Sequence, residues 1–353
     1  MEEISMTGCD LHDKNLVLRT SLGRGRDEGA VFENTKCGKQ AMILKLKERA
    51  AAAGCKRIVF AYEASGQGYL LHDELVNAGI ECYVLAPTKI KRSEKDKRDK
   101  TDKKDCKRLL ELLRGHFLAG NELPVVRVPN LQQRDDRELM RCRLDVAVEL
   151  QSVKNKIKAL LKRNAVQKPK EIRPAKWLKE VASGRSGKLL NGAQTTLESL
   201  VRRAEALQKE IGILDGKIEE LADQERHRKP VSELRKLKGV GILSAMVFLA
   251  EMGTLTRFSN RRKVAAYIGL IPTCAESGSI QDRKGHITRQ GSSRLRRILC
   301  QCVWTRIRTD PEEIKVYERL KEKNPKKKKI AVVALMRRLA IRMWHRAIAA
   351  TAA

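Results

Sequence analysis

Two rhythms of apolar positions divide the chain. Up to about residue 128 short β-forming runs alternate with helical stretches. Residues 5–20 mix small, polar and β-forming side chains around a turn at Asp13 to Asn15, which predicts a hairpin with Asp10 near the middle of its first strand. A turn-rich interval follows, and residues 38–53 read as a helix with Met42, Leu44 and Leu46 as its apolar positions. Residues 57–63 form a short apolar run that ends in Glu63 and is followed by Ala-Ser-Gly, the pattern of a buried strand with an acid at its C-terminal end. A helix over 67–78, a strand over 80–86 and a helix opening at Lys100-Thr101-Asp102, carrying Leu109, Leu110, Leu112 and Leu113, complete a β-α-β-α alternation.

Beyond residue 130 the period changes to that of long helices. Leu139, Val146, Leu150, Val153, Ile157 and Leu160 recur at three and four residues amid dense charge, and Leu197, Leu200, Ala204, Leu207, Ile211, Leu214, Ile218 and Leu221 keep the same rhythm. These are coiled-coil seams. The Pro-, Gly- and base-rich stretch from Lys168 to Gly187 lets the two helices fold back as an antiparallel pair or pair with another subunit. Pro230 is read as the end of this region. After it, Leu237-Lys238-Gly239-Val240-Gly241 has the Gly-apolar-Gly turn of a helix-hairpin-helix element, whose amides take a DNA phosphate; a plain turn between helices uses glycine in the same way. Residues 330–348 read as a basic amphipathic helix with a backbone-binding face and Trp344 packed inside.

Charge changes this picture from a fold to a partner. The 353 residues carry 74 Lys and Arg against 43 Asp and Glu, a formal net charge of +31. Each cation placed on a phosphate releases condensed counterions, so the excess points to a polyanion, nucleic acid before anionic membrane. No run of about 18 apolar residues is present to span a bilayer, and the first residues, Met1-Glu2-Glu3-Ile4, lack the basic and apolar regions of an export signal. Nine cysteines stand mostly singly, with no CxxC, and six histidines show no metal-ligand spacing. That usage excludes a zinc ribbon and a disulfide scaffold and suits a reducing cytoplasm.

The candidate chemistry lies in the acids. Asp102 and Asp105 are three residues apart on the first turn of a helix, where carboxylates also serve simply to meet the positive end of the helix dipole. Their setting is unusual, because residues 89–108 hold eleven Lys and Arg against five Asp and Glu. With Asp10 and Glu63 they make four carboxylates from one α/β domain. Such a set answers a physical need, since in-line displacement at phosphorus is helped by two divalent cations about 4 Å apart held on oxygen ligands. For each acid alone, a surface or capping role remains the plain alternative.

A second candidate is the serine in Glu276-Ser277-Gly278-Ser279, followed by Arg283, Lys284, Arg289, Arg294 and Arg296. No His and Asp follow at hydrolase positions, so acyl chemistry is not indicated. Attack on phosphorus suits the setting, because guanidinium groups neutralise charge developing on a phosphorane. A solvated loop serine is the plain alternative.

Taken together and in order, Cys9-Asp10-Leu11-His12, Tyr62-Glu63-Ala64-Ser65-Gly66, Lys100-Thr101-Asp102-Lys103-Lys104-Asp105, Gly239-Val240-Gly241, residues 266–272 (Ala-Tyr-Ile-Gly-Leu-Ile-Pro), Glu276-Ser277-Gly278 and Ile287-Thr288-Arg289-Gln290-Gly291 resemble the insertion sequence 110 family, the DEDD transposases. The resemblance implies an α/β domain of RuvC-like, RNase H type whose acids Asp10, Glu63, Asp102 and Asp105 bind Mg2+, with Mn2+ as a substitute. It implies a coiled-coil insertion and a mainly α-helical C-terminal transposase domain in which Ser277 attacks a DNA phosphate and forms a phosphoserine link. It also implies partners: double-stranded DNA at the element ends and target, a structured noncoding guide RNA, and a homodimer or homotetramer built through the coiled coil. Many relatives have Ser-Ser-Gly where this chain has Glu276-Ser277-Gly278, so the neighbour of the serine is acidic here, and Ser279 is a minor candidate.

The expected organisation is a RuvC-like domain over 1–128, a coiled coil and linker over 129–229 and the transposase domain over 230–353. Residues expected on nucleic acid are Lys91, Arg92, Lys100, Gly239, Gly241, Arg283, Lys284, Arg289, Arg294 and Arg296. The expected activity is RNA-guided recombination in a bacterial or archaeal cytoplasm, at the nucleoid. A metal-dependent nuclease without serine chemistry, and a noncatalytic basic nucleic-acid-binding protein, are the competing readings.

Overall fold

A computed structural model describes residues 4–22, 27–90, 102–166, 189–274, 284–323, 325 and 328–352; residues 102, 103, 274, 284 and 352 are described by their backbone alone. The chain divides into two units, Met1–Val128 and Pro129–Ala353.

The first unit is built on a five-stranded sheet. Strands β1 (Ile4–Leu11), β2 (Asn15–Leu22) and β3 (Glu28–Glu33) form an antiparallel meander, and β4 (Arg57–Glu63) and β5 (Glu81–Leu85) run parallel to β1, in the order β3-β2-β1-β4-β5. Helices α1 (Lys36–Ala52) and α2 (Leu70–Asn77) supply the crossovers, and α3 (Asp102–Ala119) packs on β1 and β2. This order and these directions are compatible with an RNase H-like domain. Two apolar clusters cover the two faces: Cys9, Leu16, Met42, Leu46, Phe60 and Tyr62 lie on one, and Met6, Val59, Ala61, Leu109, Leu110 and Leu113 on the other. Parallel strands buried on both faces read as continuous apolar runs, which is why 57–63 is legible in the sequence.

Three expectations in this unit need correction. Asp10 stands one residue from the end of β1 rather than at mid-strand. Its cost of burial is correspondingly lower, because the strand end opens into the His12 turn. The interval before α1 holds a whole strand, β3, whose exposed, Gly-containing edge lacks the apolar run that announces a buried strand. Leu44 is 60% exposed, and α1 faces the sheet with Met42, Leu46 and Ala50, one turn apart.

The second unit is helical. Helices α4 (Leu131–Arg163) and α5 (Asn191–Ala222) pack along each other. Arg143, in the first half of α4, pairs with Asp215, near the end of α5, so the two helices run antiparallel. Leu150, Val153, Ile157 and Leu160 meet Leu197, Val201, Ala204 and Ile211 in one buried cluster, so this seam is filled within the chain. At the other end of the pair the inward positions of α4 are Met140 and Leu144, where the sequence pattern favours Leu139 and Val146; they join Ile218 and Leu221 in the core of the following helices. Those are α6 (Glu225–Arg235), α7 (Ile242–Met252), α8 (Arg261–Ile268), α9 (Ser293–Thr309), α10 (Pro311–Glu322) and α11 (Lys328–Ala352). The β6 (Pro272–Cys274) and β7 (Lys284–Ile287) strands pair between α8 and α9.

Two more expectations change here. Pro230 sits inside α6, buried, and α5 ends earlier, at Ala222. Helix α11 does not stand free on the surface: one face is core, with Arg338 and Arg346 exposed on the rest. Its Leu335, Leu339, Met343 and Ala347 are all 2% exposed or less, and Trp344 is inside as expected, its Nε1 donating to the Leu255 carbonyl at 3.1 Å. A helix with apolar residues at every third and fourth position buries that stripe and leaves its arginines on the other side.

Candidate active site

The site is set by how β1, β4 and α3 meet. β1 and β4 are parallel neighbours paired through Cys9 and Tyr62, so the next residue on each, Asp10 and Glu63, emerge side by side at the carboxyl end of the sheet. Parallel pairing makes this unavoidable, because strands that run the same way end at the same edge. The turns beyond them are tied together. Asn34 donates from Nδ2 to the His12 carbonyl and to Gln67 Oε1, both at 2.8 Å, and Gln67 Nε2 donates to Asp13 Oδ1 at 3.1 Å. Sequence reasoning does not single out Asn34 and Gln67. The only signal for either is that Gln67 directly follows the Glu63-Ala64-Ser65-Gly66 motif.

Helix α3 reaches the same edge by close backbone contact. Gly8 faces it, and a Cβ there would overlap the Cys106 carbonyl oxygen and stand 2.6 Å from the Leu110 nitrogen. The Cys106 thiol donates to the Val17 carbonyl at 2.8 Å, and Arg114 donates to Ser21 Oγ at 2.8 Å and to Asp27. With the helix pinned at both ends, Asp105 on its first turn is buried, at 7% exposure, and its Oδ1 accepts from Arg108 Nη1 at 3.0 Å. Asp102 begins the helix one turn earlier. Asp10 is half-buried, with His12 Nε2 3.1 Å from its Oδ2.

The donor chemistry is that of hard oxygen ligands. Burial, with help from Cys106 and Asp10, pushes the Cys9 thiol beside Asp10 well above the usual thiol range. Carboxylate oxygens on rigid elements are the donors a hard divalent cation takes. Among the described residues no three His, Cys, Asp or Glu side chains stand together closely enough to hold a metal. Asp10 and Glu63 are therefore the pair that the strands bring together, with Asp105 on the helix docked beside β1.

Of the serine loop, β6 and β7 are the stem: Pro272 pairs with Ile287 and Cys274 with Lys284. Ser277, Ser279 and Arg283 lie outside the described residues, as do Lys91, Arg92 and Lys100. What the structure does show is how that stem is held. Two of the sequence motifs interlock at its base. Gly269, at φ +76°, ends α8 against the Arg289–Gln290 backbone, and Gly291, at φ +147°, lies against the Tyr267 carbonyl. Arg296 Nη1 donates to the Ile268 carbonyl at 3.0 Å and to the Gly291 carbonyl at 2.9 Å, and the Thr288 amide donates to the Ile271 carbonyl at 2.9 Å. Arg296 thus has an internal role, and Arg294 is paired with Asp145 at 2.6 and 3.1 Å. Arg289 remains exposed, at φ +55°.

The Gly239–Gly241 turn joins α6 to α7. Gly239, at φ +78°, approaches the Cys302 carbonyl, and buried Arg306 donates to the Lys238 carbonyl at 3.0 Å. Gly241 caps α7 from an exposed position.

Sequence models of known families match both units. The model described as Transposase IS116/IS110/IS902 family matches residues 231–318, and a second, DEDD-type model described as Transposase matches residues 10–165. Putative transposase y4rJ of Sinorhizobium fredii is 30% identical over 351 residues, covering 93% of this chain and 88% of that protein. Putative transposase y4qE of the same organism is 31% identical over 254 residues, 71% of this chain and 59% of the relative. The transposase for insertion sequence element IS1533 of Leptospira borgpetersenii is 28% identical over 253 residues, 69% of each. With both halves matched in order and one relative aligned nearly end to end, the chain belongs to the IS116/IS110/IS902 family of transposases.

Proposed function

We propose that this transposase is a site-specific DNA recombinase that breaks and rejoins strands through Ser277, with Asp10, Glu63, Asp102 and Asp105 holding Mg2+ beside the reacting phosphate. The observation that carries the reading is the emergence of Asp10 and Glu63 from neighbouring parallel strands, with the first turn of α3 docked against the same β1. Oxygen donors on rigid elements are what a hard cation requires, and the cation, when bound, supplies positive charge to the phosphate oxygens. Mn2+ would substitute.

The serine step balances without a further reactant. Ser277 Oγ attacks phosphorus and loses its proton as the Oγ–P bond forms. The P–O bond of the strand breaks, and the DNA hydroxyl leaves with a proton. Attack by the hydroxyl of a second strand on the phosphoserine reverses these changes and restores the serine. Arg289, exposed near the base of the stem, would help neutralise the phosphate.

The partners follow from the family reading and the charge of +31: double-stranded DNA, a structured noncoding RNA that pairs with it, and further copies of the chain in a dimer or tetramer. The place of action would be the nucleoid. Among the described residues no helix is long and apolar enough to cross a membrane.

A second reading has a specific basis, because all four acids belong to the unit Met1–Val128 and Ser277 does not. Acids acting alone would make a nuclease that activates water. Incubation of protein, RNA and DNA followed by denaturation separates the two. A protein–DNA adduct abolished by Ser277→Ala supports recombination through serine. A free nick that survives Ser277→Ala would sink it in favour of the nuclease. Recombination unaffected by both Asp102→Asn and Ser277→Ala would leave only a binding role.

A further inference from the structure

The second unit holds a long groove. It has a volume of about 770 Å³ and runs along one face of α4, from Leu144 to Ala159, closed on its other side by α9 and the start of α7. The fifteen helical steps between Leu144 and Ala159, at about 1.5 Å each, make it on the order of 22 Å long.

Its chemistry is one-sided. Arg143, Lys156 and Arg297 line it, and among the described residues no Asp or Glu does. Arg143 is balanced by Asp215 at 2.7 Å, but Lys156 is exposed, and Arg297 is held across the groove by a bond from Nη2 to the Leu144 carbonyl at 3.2 Å. Asp145, on α4 beside this groove, is engaged by Arg294, and that bond, with Arg297 and Arg141 adding to it, holds its carboxyl below the ordinary range. Gln151, Asn155 and Gln301 add neutral donors and acceptors. The floor is apolar, with Ala147, Val148 and Ile298, and Val148 is 48% exposed, on a helix that covers most of its other large apolar residues.

We propose that this groove seats a single strand of nucleic acid, its phosphates against Lys156 and Arg297 and its sugars and base edges on the apolar floor. The inference rests on the reading of the protein as a nucleic-acid recombinase and adds a seat for an unpaired strand outside the acid cluster. A positively charged groove tracks the backbone of a single strand, whereas a duplex presents phosphates on a convex surface and would meet only the rims. A second copy of the chain is disfavoured by charge. It would bring its own +31 to a wall that offers it no carboxylate.

The test uses the full-length protein with a fluorescent single-stranded oligonucleotide and the matching duplex, measured by anisotropy at several salt concentrations. The variant is Lys156→Glu with Asn155→Asp, two exposed positions whose effect on folding is checked by thermal melting. Expected are a loss of about tenfold or more in single-strand affinity, a salt slope smaller by about one, and duplex affinity changed less than about twofold. Ultraviolet crosslinking of the bound single strand should map to residues 144–159. Equal losses for strand and duplex, or no loss for either, would overturn the proposal. So would a change in oligomeric state by light scattering with strand binding intact, which would assign the groove to a second copy. No binding of any nucleic acid by the unaltered protein would overturn the recombinase reading as well.

Discussion

Gly8 of β1 and Leu110 of α3 meet so closely that a Cβ on Gly8 would stand 2.6 Å from the Leu110 nitrogen, with the Cys106 carbonyl closer still. The contact is backbone on both sides, so neither partner can give way by turning a side chain. Gly8→Ala must lift α3 off the sheet, and overpacking of this kind costs about 1–3 kcal/mol. The same shift separates Asp105 from Asp10. The expected outcome is a lower denaturation midpoint with strand cleavage falling by more than the stability loss explains, read at a temperature where the variant remains folded.

The interlock under the β6–β7 stem makes a distinct prediction. Gly269→Ala places a Cβ at φ +76°, 2.8 Å from the Gln290 nitrogen, where strain and contact act together. The stem should lose its fixed direction, so adduct formation on DNA should drop while DNA affinity stays within about twofold, since no phosphate contact is removed. An anisotropy titration beside the adduct assay checks both. Unchanged adduct yield would show that the interlock does not position the serine.

Arg306 and Glu313 are a buried ion pair, each 4% exposed, at 2.5 Å, with Asp310 at 3.2 Å and the Lys238 carbonyl sharing the guanidinium. Removing Glu313 leaves the buried guanidinium to Asp310 and the Lys238 carbonyl. Glu313→Leu should cost about 1–3 kcal/mol, and adding Arg306→Met to it should recover part of the loss, in urea denaturation. Because Arg306 supports the turn at Gly239, the single variant should also loosen the α6–α7 junction, visible as faster amide exchange there.

Asp136 ties α4 to the start of α6. Burial alone would raise its carboxyl, but hydrogen bonds from His227 at 3.1 Å and Arg226 at 2.6 and 2.9 Å prevail and hold it below the ordinary aspartate value. A carboxyl lowered in the folded state stabilises fully above the unfolded value, near about 3.9, and loses that contribution as pH falls through the lower folded value. Stability measured by denaturant at pH from about 6 downward should therefore fall at the acid end, and Asp136→Asn should be less stable at about pH 6 with a flatter profile. A parallel profile for the two proteins would refute the assignment.

Nucleic-acid affinity should be steep in salt. A protein with +31 formal charges that makes about 6–10 phosphate contacts loses on the order of a thousandfold or more in affinity between low and moderate salt. A flat dependence would remove the electrostatic argument for the partner.

Sequence alone determined the pieces. The apolar run 57–63 ending in Glu63, the three-and-four spacing through Leu150 and Ile157, and the excess of bases are all local patterns, and each has a local cause: strand burial, helix period and charge. Local patterns also misled where burial depends on neighbours. Leu44 looks like a core position and is exposed, β3 lacks an apolar run because it is a sheet edge, and α11, which looks like a surface helix, puts a whole face into the core of its unit. Only the tertiary structure decided which distant residues meet. Asp10 and Glu63, far apart in the chain, emerge together because β1 and β4 are parallel neighbours; Asn34 and Gln67 latch their turns; Gly269 and Gly291 interlock. Pairings of this kind arise from strand order and close backbone approach across long stretches of chain, which no window of sequence contains.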